Sequence, residues 1–254
     1  MKILITGASG FIGSYISEKF YKKGYEIFVI TRKPDKAKFK AFLWNGKEII
    51  GDFKIDGFDA VINFTKKLCD FICSFENKPE VFIQASAIGF YKGGNEEIDE
   101  NGEKGNNFLS YVVEEWEKAS GLIEEMGIRR VIVRLGIVLG KGGFLKKIEL
   151  PFKFFLGSII GNKDRWISWI HIEDVFNIFS FFIENKSLRG IFNLVSPEPV
   201  KTSEFYKVFS EVLRKPLLFY IPDFFIKILM GEMAENLILE NLRVIPSNLL
   251  KSGY

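Results

Sequence analysis

Three glycines define the first chemistry available to this chain. The run Thr6-Gly7-Ala8-Ser9-Gly10-Phe11-Ile12-Gly13 follows a short apolar segment, Lys2–Thr6, and opens a stretch with helical periodicity, Phe11–Lys22. In that order the glycines allow a tight turn, then a place where backbone meets a bound group, then close helix–strand packing. The first turn of such a helix offers unpaired N–H groups and the positive end of its dipole. Gly7, Gly10 and Gly13 therefore predict a cradle for the pyrophosphate of a dinucleotide.

The end of the next apolar run, Glu26–Thr31, bears on which dinucleotide. A site that prefers NAD usually carries Asp or Glu there, bonded to the ribose 2′-hydroxyl. This chain has Thr31-Arg32-Lys33. A carboxylate would repel a 2′-phosphate, whereas Arg32 can clamp one and Thr31 can donate its hydroxyl. One charge-assisted hydrogen bond is worth about 1.5–3 kcal/mol, so the expectation is NADP(H) over NAD(H) by roughly tenfold to hundredfold. The plainer alternative is that Arg32 and Lys33 form a solvated strand end.

The elements around these residues alternate. Asp59–Phe64, Val81–Ser86 and Arg130–Leu135 are further short apolar runs, and Phe108–Met126 reads as a long helix. Near-continuous apolar strands separated by helices imply a parallel sheet covered on both faces, a doubly wound parallel sheet of the α/β class. Past Gly140 the pattern loosens into a glycine-punctuated aromatic segment, then strand Trp166–Ile172, helix Glu173–Asn185, strand Ile191–Val195 and helix Thr202–Leu213. The expected division is residues 1–140 as the dinucleotide-binding domain, its sheet completed by about 166–195. Residues 141–165 and 196–254 form a small C-terminal α/β lobe. One junction is odd: Asn63-Phe64 abuts the helical spacing of Thr65–Ile72 with no connecting residues, where a βα loop takes about 2–6. Either the loop was deleted or residues are missing between Phe64 and Thr65; the second is the reading adopted here.

Composition narrows the class. The 254 residues are 47% apolar and 26% charged, ordinary for a folded globule. Thirty-five basic residues against 32 acidic ones give +3, too small and dispersed to argue for nucleic acid. No apolar run reaches the roughly 18–20 residues of a membrane span, and the N-terminus is too short for a signal segment. Cys69 and Cys73, one helical turn apart, read as small core residues in a reducing cytoplasm. With a single His besides, a metal site is not expected. The 27 Phe residues stand out, and packing is the only account the sequence offers for them.

Further stretches carry a family resemblance. They are Ser86-Ala87-Ile88-Gly89-Phe90-Tyr91, Trp116-Glu117, Arg134-Leu135-Gly136-Ile137-Val138-Leu139-Gly140, Trp169-Ile170-His171-Ile172-Glu173-Asp174 and Asn193-Leu194-Val195-Ser196-Pro197. With the glycine turn and Thr31-Arg32, they make the chain resemble the extended short-chain dehydrogenase/reductases of the NAD(P)-dependent epimerase/dehydratase type. The narrower likeness is to the branch of nucleoside-diphosphate-sugar epimerases with a short C-terminal domain of unknown function. The resemblance implies a Rossmann domain, hydride transfer on a small-molecule substrate such as a nucleotide sugar, and a homodimer. It also implies that Gly7, Gly10, Phe11, Ile12 and Gly13 cradle the pyrophosphate, and that Thr31 and Arg32 hold the adenosine phosphate. Phe64, Ser86 and Val138 would line the rest of the cofactor. The small-residue, Gly and acidic continuation usual after Asn63-Phe64 is absent.

Catalysis is where the chain departs from the family. Reductases of this class use Tyr-x-x-x-Lys on a helix, the Lys lowering the phenol's pKa from its ordinary value near 10. Tyr111 is followed four residues on by Glu115, and anchoring on Trp116-Glu117 puts the expected pair at Leu109 and Val113. The remaining candidates are Ser86, as a donor to a substrate oxygen, and Tyr91, as acid/base or pocket wall. His171 and the Trp166, Trp169 and Phe154-Phe155 group read as structural. The rival reading is a catalytically silent NADP(H)-binding sensor or interaction protein; a third is a reductase of a small carbonyl compound.

Overall fold

The computed structural model describes residues 1–45, 48–50, 57–64, 68, 71–72, 75–230 and 240–254. Cys69, Cys73 and the junction at Thr65 lie outside the described residues, so the readings made for them stay as expectations.

In chain order the elements are β1 (Lys2–Thr6), α1 (Phe11–Lys22), β2 (Glu26–Thr31), β3 (Lys40–Trp44), β4 (Ile49–Ile50), β5 (Ala60–Asn63), β6 (Val81–Ala87) and β7 (Glu97–Ile98). There follow α2 (Phe108–Lys118), α3 (Gly121–Glu125), β8 (Arg129–Leu135), β9 (Ile137–Leu139), α4 (Gly143–Lys153), β10 (Gly157–Ile160), β11 (Trp166–Ile167) and β12 (Trp169–His171). The last are α5 (Ile172–Glu184), β13 (Gly190–Leu194), β14 (Val200–Lys201), α6 (Thr202–Leu213), β15 (Leu217–Ile221), α7 (Asp223–Met230), β16 (Arg243–Val244) and α8 (Ser247–Lys251). The main sheet runs β13-β8-β6-β5-β1-β2-β3-β4, parallel throughout except for the last pair.

That order is the doubly wound arrangement the apolar runs predict. From β1 the chain turns to β2 on one side and returns to β5 on the other, so β1 and β5 flank the switch point where such sheets bind ligands. One sheet face packs on α1 and α5 through Ile3, Ile5, Ile16, Phe20, Val131, Val133, Phe176, Phe179 and Phe182. The other packs through Leu4, Phe28, Phe42, Phe58, Phe75 and Phe82. Phe is therefore spent on both faces, in edge contacts such as Phe20–Phe176 at 5.0 Å and Phe58–Phe75 at 5.4 Å. A separate cluster of Ile148, Phe152, Ile159, Phe205 and Tyr206 forms around α4, β10 and α6.

Three local readings change. Phe108–Met126 is two helices, because the Ser120 hydroxyl is bound by Gln84 and by Arg130 at the break and Gly121 follows. Trp166–Ile172 is two short strands, because Ser168 between them donates to the Leu242 carbonyl at 2.8 Å and accepts from the Val244 N–H at 2.9 Å. Strand β3, which lies between β2 and the edge strand β4 and buries only Phe42, has too little apolar periodicity to be read from sequence.

A buried polar network joins the carboxyl ends of the sheet to the segments that cover them. Arg134 from β8 makes a bidentate pair with Glu117 from α2, at 2.9 and 2.8 Å, with side chains only 3% and 9% exposed. Ser86 from β6 donates to the same carboxylate at 2.5 Å. The guanidinium lies over the rings of Phe90 at 3.5 Å and Tyr91 at 4.8 Å. Tyr91 in turn donates to Asn193 Oδ1 at 2.7 Å, and the Asn193 N–H donates to Glu100 at 3.0 Å. Glu100 also receives the Asn248 N–H at 3.0 Å, which ties the C-terminal segment to β13.

Glu117→Leu leaves a buried guanidinium without its carboxylate, so urea unfolding should show a loss of about 3–5 kcal/mol. Arg134→Met combined with Glu117→Leu should recover most of that loss. A double variant as unstable as the single one would remove the ion pair as the cause.

Candidate functional site

The glycine turn has the geometry its sequence requires. Gly7 sits at φ +67°, in the left-handed region, and its carbonyl accepts the Gly10 N–H at 2.9 Å. A Cβ on Gly13 would lie 2.3 Å from the Gly7 oxygen, so α1 can approach the turn only with glycine there. No side chain caps α1, and its first turn holds no acidic residue. Its leading amides are thus left for an anion. Phe11 packs its ring against Gly140, Gly142 and Gly143, and Ile12 is half-buried on the main core.

At the switch point the Thr6 hydroxyl links two strands, donating to Asn63 Oδ1 at 2.9 Å and accepting the Phe64 N–H at 2.8 Å. This fixes Phe64 directly against Gly7, where a Cβ would meet the Phe64 Cβ at 3.0 Å. A cavity of ≈ 1080 Å³ opens beside the turn. Thr6, Gly7, Ala8 and Ser9 line one part of it, and Thr31, Arg32 and Lys33 another. Thr31, Arg32, Gly7 and the start of α1 are therefore brought together. Gly10, Phe11, Ile12, Gly13 and Phe64 belong to the turn or border it. Val138 is buried in β9, paired with Ile170 of β12.

Glu18, Lys36 and Lys38, which no sequence motif singles out, also line the cavity. A turn at Pro34–Lys36 lifts Lys36 and Lys38 to the rim, and Lys38 pairs with Glu18 at 2.6 Å. Lys38 beside Glu18 holds that carboxyl below the usual value. The signal was there as three lysines after the second strand, but which face they share is set by the turn.

The two hydroxyls expected to face a substrate, Ser86 and Tyr91, are each hydrogen-bonded within the protein. Ser86 is buried, with its hydroxyl proton given to Glu117. Tyr91 is 0% exposed, bonded to Asn193 and covered by Arg134. Burial pushes its phenol above the ordinary value. Both lie at the carboxyl end of β6, as expected, but they are consumed by packing. Leu109 and Val113 are apolar in fact: Val113 is buried, and a Cβ on Gly89 would strike Leu109 at 2.5 Å. His171 caps α5, its Nδ1 accepting the Glu173 N–H at 3.3 Å. Among the described residues no His, Cys, Asp and Glu group could hold a metal ion, and no helix is long and apolar enough to cross a membrane.

Known proteins share this architecture. Residues 3–92 match the model of the NAD dependent epimerase/dehydratase family, and residues 221–254 match a domain of unknown function, DUF1731. The epimerase family protein YfhF of Bacillus subtilis is 30% identical, covering 100% of this chain and 93% of its own length. That alignment runs over 283 positions, more than the chain has residues, so the relative carries stretches this chain lacks. A chloroplastic epimerase family protein of Arabidopsis thaliana, a homolog of SDR39U1, is also 30% identical, over 100% of this chain and 82% of its own. The crystal structure of human epimerase family protein SDR39U1 with NADPH superposes with a TM-score of 0.87 at 26% identity, covering 100% and 94% of the two chains. The sheet order, the glycine turn at its switch point and these full-length relatives lead to one conclusion: the chain belongs to the NAD-dependent epimerase/dehydratase family.

Proposed function

We propose that this protein binds NADP(H) along the switch point and uses it in hydride transfer on a small molecule, with a nucleotide sugar as the substrate class. The observation that carries the reading is a single cavity bordered by the glycine turn and by Thr31-Arg32-Lys33, with no carboxylate at the end of β2. The fit is physical: Gly7 and Gly13 let the turn close tightly on Phe64 and on the start of α1, and the amides of α1 are uncapped. Gly7, Gly10, Phe11, Ile12 and Gly13 would hold the pyrophosphate. Thr31 and Arg32 would hold the adenosine phosphate, and Phe64, Ser86 and Val138 would flank the remainder. The human relative crystallised with NADPH supports the same choice of cofactor. When bound, the nicotinamide supplies reversible hydride transfer. The small lobe, 141–165 and 196–254, is assigned to the substrate, supported by its separate apolar cluster.

The proton side of the chemistry favours a second reading, a protein that binds NADP(H) as a sensor or interaction partner. Its support is that Ser86 and Tyr91 are held by Glu117 and Asn193, while Leu109 and Val113 stand where a Tyr–Lys pair would act.

Two measurements separate these readings. In a fluorescence titration NADPH should bind roughly tenfold to hundredfold tighter than NADH, and Arg32→Ala should remove most of that difference. Tighter NADH binding would refute the cofactor assignment. In a hydride-transfer assay over nucleotide sugars and simple carbonyls, an enzyme relying on Ser86 and Tyr91 should lose about 10²-fold or more in kcat on Ser86→Ala or Tyr91→Phe, with NADPH affinity kept. Tight NADPH binding without turnover on any of these compounds points to the sensor.

A further inference from the structure

We propose that Glu18 and Lys38 form a selectivity clasp at the phosphate end of the cavity. Glu18 holds Lys38 in the free protein, and a ribose phosphomonoester takes Lys38 from it. The inference rests on the reading that the cavity accepts NADP(H).

The charges around the cavity are unequal in their freedom. Among the described residues no carboxylate pairs with Arg32, Lys33 or Lys36, whereas Lys38 is bound to Glu18 at 2.6 Å. Glu18 is also the one carboxylate among the described residues that line the cavity. It projects from α1 three residues before Tyr21, whose ring packs on Phe39 at 5.5 Å. That aromatic contact anchors the segment carrying Lys38 beside α1, so the pair spans from helix to rim. Both members are well exposed, with side chains 75% and 45% accessible. Such a pair contributes little to stability and is cheap to exchange.

A phosphomonoester brings about −1.5 to −2 charge at neutral pH. Entering beside Arg32, Lys33 and Lys36, it would feel attraction from three free cations and repulsion from Glu18. Lys38 then has a stronger anion to serve than the carboxylate that held it. A dinucleotide with a plain 2′-hydroxyl offers no such exchange. Glu18 and Lys38 therefore act on the discrimination between the two dinucleotides rather than on the binding they share.

The test is equilibrium binding of NADPH and NADH to the full chain, followed by nicotinamide fluorescence, for wild type, Glu18→Gln, Lys38→Met and the double variant. Glu18→Gln should tighten NADPH about fivefold, and Lys38→Met should weaken it about fivefold, each leaving NADH unchanged; the differences should shrink in high salt. In the double variant the gain from Glu18→Gln should be smaller than in the presence of Lys38. Equal shifts for both dinucleotides, or a Glu18→Gln variant that binds NADPH no better, overturns the clasp and leaves the cofactor assignment standing. Wild-type protein that binds neither dinucleotide overturns both.

Discussion

A guanidinium can be buried only where a carboxylate and hydrogen-bond partners meet it, and the Arg134–Glu117 pair imposes that condition on the molecule. Arg134 stands near the carboxyl end of β8 and Glu117 near the end of α2, so α2 must dock over the sheet for the pair to form. Once it does, the carboxylate also takes the Ser86 proton, and the rings of Phe90 and Tyr91 close over the cation. The chain through Tyr91, Asn193, Glu100 and Asn248 then fixes the C-terminal segment. The Ser86 and Tyr91 hydroxyls are both held within this network. A low-dielectric surround strengthens such a network when every member is satisfied, and it makes each member hard to release.

The opposite side of the switch point is built on different terms. Thr6 links β1 to the end of β5, Gly7 turns the chain through the left-handed region, and Gly13 lets α1 close on the turn. Most of the charge there is left open: the amides of α1 are uncapped, and among the described residues Arg32, Lys33 and Lys36 have no acidic partner, while Lys38 is held by Glu18. The molecule thus keeps its anion-attracting groups open along one part of the sheet's carboxyl edge and seals its charged groups in another. The proposed cofactor site and the sealed hydroxyls of Ser86 and Tyr91 lie on the two sides of that division.

Much was legible in the sequence because it depended on neighbours along the chain. Near-continuous apolar runs and the 3.6-residue helical period placed β1, α1, β2, β6, β8 and α6 to within a residue or two. Elements failed to be read where a group from elsewhere intervened, as the Gln84 and Arg130 side chains did at Ser120 and the 242–244 backbone did at Ser168. The glycine cradle and Thr31-Arg32 could be named because each is a contiguous motif. Glu18 and Lys38 could not, since their meeting depends on how a helix and a later turn lie across one another.

By itself the sequence determined the doubly wound sheet, the place of its glycine turn and the absence of a Tyr-x-x-x-Lys pair from the helix that carries Trp116-Glu117, since these follow from residue type, spacing and backbone freedom. Only the tertiary structure decided what Ser86 and Tyr91 are bonded to. A hydroxyl's chemistry depends on what lies within hydrogen-bond reach, and Glu117 and Asn193 arrive from 31 and 102 residues away.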